Sequence, residues 1–459
     1  MSSKTADPIS DLIAYVNHCQ FEDLPAAAVT AAKRFLVDTL GNGMAGTLAP
    51  ESLRVLAGAG PQTPNGCQVW GRDARLPASA AALVNSYQTH CLEYDCVHEA
   101  AVLHPMTPLV AAVMADVQQR GHIGGRELIT ALIVGVDVSC NIALASTVAS
   151  PFFRTGSVTT LGVAAACARL RRLPPQETHH AVGLAFESMG SSRQAHTEGT
   201  SIMGLLAGFA ARNGLLACDL AEQGIQGPRN ILAGDYGYWN LYEGGYDHEA
   251  TWAHIGSVFR MTELAQKPYP SGRPTHLGVD AAIALMTEHD IAIADVQQAT
   301  CAMPPTVTAL VGRPFVADAT PNYARLCTAY CVASTLKGGT LAQGDFSPSA
   351  LARPDVAALA GKIDIVADDN PDPNAIGPAT LTLNLNNGSS VSKTIDFALG
   401  HPNNPLSQAQ QQDKFWSCWE LADSKPNRQT GSHLLDSIDQ LESSEDISDL
   451  PQFMNPAHR

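Results

Sequence analysis

Between residues 107 and 223 the chain is an almost unbroken succession of helix-forming segments, and no other feature narrows its fold so far. Helical periodicity marks 107–120, 125–145, 157–171, 175–188 and 202–223, all rich in Ala, Gly and Leu, as suits helices buried on most sides. Upstream, 11–18, 24–40 and 78–87 read the same way, with Gly41 and Gly43 expected to end the second. Val69 and Trp70 suggest a short extended piece. Alternating β-branched runs scarcely occur before about residue 290, so this half reads as an all-α domain.

The character changes after Gly256. Strand-like alternation appears at 296–302, 362–367, 379–385 and 391–397, the last two flanking Asn387-Gly388, a strong hairpin signal. A helix is expected over 322–336. The segments 408–422 and 432–442 are helical again and are expected to pack back on the first domain, whereas the acidic, proline-punctuated end from Ser443 should fray. A chain of 459 residues exceeds what one core usually supports. The expected fold is therefore mainly α: a large helical domain from 1–265 and 403–459, with a smaller α+β domain, 266–402, inserted between them.

Chemistry concentrates between Ser86 and Pro105, SYQTHCLEYDCVHEAAVLHP. His90, His98 and His104 stand there with Glu93, Asp95 and Glu99, although charged residues make up only 16% of the chain. Buried charges need partners or shifted pKa values, so such a density points to a site, though capping of helices would also use these groups. His104 precedes a proline and must leave the helix, which turns it towards a cleft. The histidines lack HExxH spacing and Cys91 and Cys96 form no CxxC pair, so a metal centre is not the expectation.

The formal net charge of −16 argues against nucleic acid or an anionic membrane as partner. The start lacks a basic segment followed by an apolar run, as a secretory signal requires. The most apolar segment, ITALIVGVDVSCNIALAST, carries Asp137 and Asn141, which reads against a bilayer span. Eleven scattered cysteines suit reduced thiols in a cytoplasmic protein.

Ordered motifs along nearly the whole chain resemble the MmgE/PrpD family. They are HCLEYDCVHEAAVLHP, GRELITALIVGVDV, GFAARNGLL, GPRNIL, KPYPSGRPTH, NYARLCTAYCVA and NNGSSVSKTIDFALGHP. The resemblance implies a helical domain built from both chain ends, an inserted lid, a homodimer, and a cleft using neither metal nor organic cofactor. The family includes 2-methylcitrate dehydratases, cis-aconitate decarboxylases and iminodisuccinate epimerases, so the expected substrate is a polycarboxylic acid. Dehydration is the first expectation; decarboxylation, epimerisation and a catalytically silent binding protein are the alternatives.

The candidates are His104, Lys267, Tyr330, Glu93 and Asp95 as catalytic, and Arg273, His276 and His98 as substrate-binding, with Arg154 and Arg193 as anion contacts in place of a missing lysine and histidine. An imidazole titrates nearest working pH, and an arginine meets a carboxylate with two parallel donors. Tyr330 equally suits a core ring, and His276 a helix cap. Positions that depart from the family pattern include Cys96, which replaces a carboxylate, Val97, which replaces a hydroxyl residue, Phe153, which replaces a histidine, and Met203, which replaces a lysine.

Overall fold

The computed structural model describes residues 7–455 except 149, 201, 290, 292, 373 and 374. Its buried apolar side chains form two main cores, one drawn from residues 9–264 and 415–454, the other from 269–398. The first is a stack of helices, among them Ala26–Ala45, Ala78–His90, Met106–Arg120, Gly125–Leu144, Val158–Leu170 and Met203–Glu222. Gly125–Leu144 is long and apolar enough to cross a bilayer by length and composition, yet it is almost wholly packed inside this core.

The Ala26–Ala45 helix corrects the expectation that Gly41 and Gly43 end it. Both glycines lie inside the helix, where their neighbours crowd them: a Cβ on Gly43 would lie 2.4 Å from Trp70 and one on Gly41 3.2 Å from Phe415. Phe415 belongs to the Gln408–Leu421 helix, which lies along Ala26–Ala45 and sends Lys414 to Asp38 at 2.6 Å and to the Tyr94 carbonyl at 2.8 Å. The far end does not fray as expected. Leu450–Met454 forms a short 3-10 turn with Leu450, Pro451 and Met454 buried, and the Met454 carbonyl accepts from the Gly71 amide at 2.8 Å; residues 456–459 lie outside the described residues.

The second core wraps a four-stranded sheet in the order Ile363–Ala367, Val296–Met303, Ala379–Leu385, Ser390–Ile395. The first pair is parallel and the others antiparallel. Gly388 takes a left-handed φ of 84° in the Asn-Gly turn, a conformation glycine adopts without steric cost. The His276–Glu288 helix packs on the two strands that flank this turn.

One expected helix, 322–336, is two: Pro321–Arg325 and Thr328–Gly338. Between them Cys327 is extended and pairs with Gly312, while the Arg325 carbonyl accepts from the Gly272 amide at 2.9 Å. The break turns Leu326 into a cavity that both halves of the chain line.

Candidate active site

The Ala78–His90 helix ends as the chain enters Cys91–Pro105, and Glu93 there has φ 52°, a left-handed conformation that costs a non-glycine residue about 1 kcal/mol or more. Paired amides and carbonyls of Val97 and Ala265, at 3.0 and 2.8 Å, tie this stretch to the segment leading into Lys267. Lys267 is thereby brought behind Glu93, donating to its carboxylate at 3.0 Å and its carbonyl at 3.1 Å.

Asp95, fully buried, is the hub. Its Oδ2 lies 2.9 Å from His90 Nδ1 and 3.3 Å from His104 Nδ1, and it accepts from the Thr107 hydroxyl. Lys267 Nζ stands 3.9 Å from the other carboxylate oxygen. Burial alone would raise both carboxyls. For Asp95 the charges of His104 and His90 overcome it and hold the group well below the usual range; for Glu93, Lys267 and the two imidazoles bring it down to about 2. The same carboxylates raise His90 against its burial.

His104 alone of this network's imidazoles lines the cavity. Its Nδ1 is 2.9 Å from the Cys96 carbonyl. A carbonyl only accepts, so Nδ1 carries a proton and Nε2 is left for the cavity; among the described residues Nε2 has no hydrogen-bond partner. The Thr155 hydroxyl accepts from the His104 amide at 3.0 Å and fixes the turn.

The cations of the wall differ in what they have left to offer. Arg273 spends its donors on Glu99 at 2.6 Å, the Leu399 carbonyl at 2.7 Å and the Ala398 carbonyl at 3.0 Å. Arg154 does the same with both Glu243 oxygens, at 3.0 and 2.8 Å, and the Ala101 carbonyl. Arg193 makes one contact, to the Ser150 carbonyl at 3.3 Å, and among the described residues no carboxylate pairs with it. Of the three it is the guanidinium without a carboxylate partner among the described residues, and the one with most donors left over.

Several candidates therefore stand apart from the cavity wall. Lys267 is fully buried and reaches the cavity only through Glu93. Tyr330 sits in the second core between Phe315 and Phe346, its hydroxyl on the Asp345 carbonyl, as its apolar helix would have it. His98 accepts from the Ala101 amide and pairs with Glu263 at 2.8 Å, which shapes the turn bearing Glu99. His276 opens its helix fully buried, 3.3 Å from Arg273; burial and then the Arg273 charge hold it neutral, so it positions that arginine. The sequence reading also passed over wall residues. His196 lines the cavity, pushed down to about 4 by burial and Arg313, and His401, within the quoted NNGSSVSKTIDFALGHP, lines it 3.9 Å from Glu99. His90, Asp95 and His104 offer ligand atoms within 4.8 Å of one another, the spacing a metal ion would need, although Lys267 already supplies positive charge beside Asp95.

Residues 10–251 match the MmgE/PrpD N-terminal domain and residues 269–435 the MmgE/PrpD C-terminal domain. Similar proteins include a cis-aconitate decarboxylase-like protein of Aspergillus oryzae, 26% identical over 98% of this chain and 97% of its own. The cis-aconitate decarboxylase of Mus musculus is 28% identical over 96% and 90%, and the 2-methylcitrate dehydratase of Cupriavidus necator 25% identical over 87% of each. With both halves matched in order, and the central stretch and the Lys267 segment joined at one cavity, the chain belongs to the MmgE/PrpD family.

Proposed function

We propose that the protein is a lyase acting on a polycarboxylic acid, with His104 Nε2 moving the proton and Arg193 holding a carboxylate. The observation that carries this reading is the commitment of His104 Nδ1 to the Cys96 carbonyl, which leaves the other ring nitrogen facing the cavity. Asp95 steadies the imidazolium that forms when Nε2 takes a proton, as a buried carboxylate does for a catalytic histidine.

Of the reactions named for its relatives, decarboxylation of a cis-aconitate-like acid is the better supported. Dehydration needs a base at carbon and a separate acid for the departing hydroxide. Glu93, held ionised, and neutral His196 could serve only as bases, so dehydration would ask His104 to be the acid for the departing hydroxide. Decarboxylation needs one donor: the carbon–carbon bond breaks, carbon dioxide leaves, the electron pair stays on the substrate carbon, and His104, protonated beforehand from solvent, gives its Nε2 proton to that carbon skeleton and is recharged by solvent after turnover. Dehydration of a 2-methylcitrate-like acid is the second reading, supported by His401, a further imidazole on the wall.

Incubation with cis-aconitate and with 2-methylcitrate, following carbon dioxide and alkene absorbance separately, tests both. Carbon dioxide from the first acid is expected, and His104→Gln is expected to lower turnover by about 100-fold or more while the melting curve is kept. A folded protein that forms neither product from either acid sinks the proposal.

A further inference from the structure

We infer that the substrate carries an apolar substituent, an alkyl or acyl group of several carbons, on its polycarboxylate head. This rests on the reading above and adds the second half of the ligand. The cavity measures about 480 Å³, within the roughly 300–1,000 Å³ typical of pockets for drug-sized ligands. Its wall carries His104 and Arg193 among other polar groups, and much of the rest is hydrocarbon.

That hydrocarbon comes from several elements. Val311, ending the Pro305–Val311 helix, and Leu326, in the break between two helices, close over Gly272, where a Cβ would lie 3.6 Å from Val311 and 2.7 Å from Leu326. Leu277 rests against Gly377 beside Ile376, at 3.7 Å from where a Cβ would stand, and Leu310 is half-buried on the same wall. From the helical side Val97, Phe153 and Met203 add to the lining, three of the positions where the sequence departs from the family pattern. The wall acids Asp372 and Asp396 are solvent-exposed.

A compact acid bearing only carboxylates would leave these side chains against water or force the cavity to close. A hydrocarbon chain removes that apolar surface from water, which is worth about three- to fourfold in affinity per buried methylene.

A series of cis-aconitate-type acids bearing hydrogen, methyl, propyl and hexyl substituents reads the inference directly. In the wild-type protein kcat/KM is expected to rise about three- to fourfold per methylene until the cavity is full, chiefly through KM. Leu310→Gln is expected to lower the hexyl-to-methyl ratio about tenfold. Turnover of the short acids with no gain from chain length overturns the inference and leaves the proposed function standing. If none is turned over, calorimetry with unreactive alkylsuccinates separates the two. Affinity rising with chain length and a negative heat-capacity change then supports the apolar subsite without the reaction, and flat affinity overturns it.

Discussion

At His104 the proton sits on the nitrogen that faces the protein, because a backbone carbonyl can only accept. Neighbouring charges differ in the same way: Arg273 and Arg154 are paired with Glu99 and Glu243, and Arg193 has no carboxylate partner among the described residues. Arg193→Gln should therefore raise KM for a polycarboxylate about tenfold or more with a smaller change in kcat, measured by steady-state kinetics. Asp137 belongs to stability instead. Burial pushes its carboxyl up to about 7, although the Tyr15 hydroxyl and the Arg260 amide donate to it. A folded-state pKa above the unfolded value means the native protein holds this proton more tightly. The contribution is full below about pH 4 and is lost as pH rises through 7, a difference on the order of 4 kcal/mol. Asp137→Asn should flatten that part of the stability profile, checked by denaturant melts at pH 5 and pH 8 against wild type; an unchanged slope would assign the pH dependence elsewhere.

Among elements, the Ala26–Ala45 helix and its 3-10 extension Gly46–Leu48 show how glycines serve close packing. A Cβ on Gly46 would lie 1.8 Å from the Gln88 carbonyl, a backbone atom of the helix that leads into the site. Gly46→Ala should lower stability by about 1–3 kcal/mol or more and shift the urea midpoint with little change in slope. Glycine position by itself suggested a stop, because the tertiary neighbours that forbid a side chain are far away in sequence. The Asn387-Gly388 hairpin was legible for the opposite reason: a two-residue turn sets its own geometry. The split at Leu326 and Cys327 has no local marker, since the extended Cys327 answers to Gly312.

On the scale of the whole molecule, the first core is closed by residues far apart in the chain. Phe415, Trp419, Leu434 and Met454 pack with side chains from the first half, and Lys414 is held by Asp38 and Tyr94. A chain cut after residue 402 should lose the cooperative melt and bind hydrophobic dye, because it exposes the apolar faces these residues cover. A sharp transition in the truncated protein would show that the last helices are dispensable.

The amino-acid order alone determined most of the helices, the hairpin and the family, because periodicity, turn chemistry and ordered motifs are local properties. It also singled out the stretch around His104. What it left open is which charges face the ligand: Lys267 and Arg273 share a segment, yet one is hidden behind Glu93 and the other spent on Glu99. Hydrogen-bond satisfaction is settled by neighbours far apart in the chain, 174 positions for Lys267 and Glu93. Only the folded chain, by bringing those donors and acceptors together, decided that His104 and Arg193 keep atoms free for the cavity.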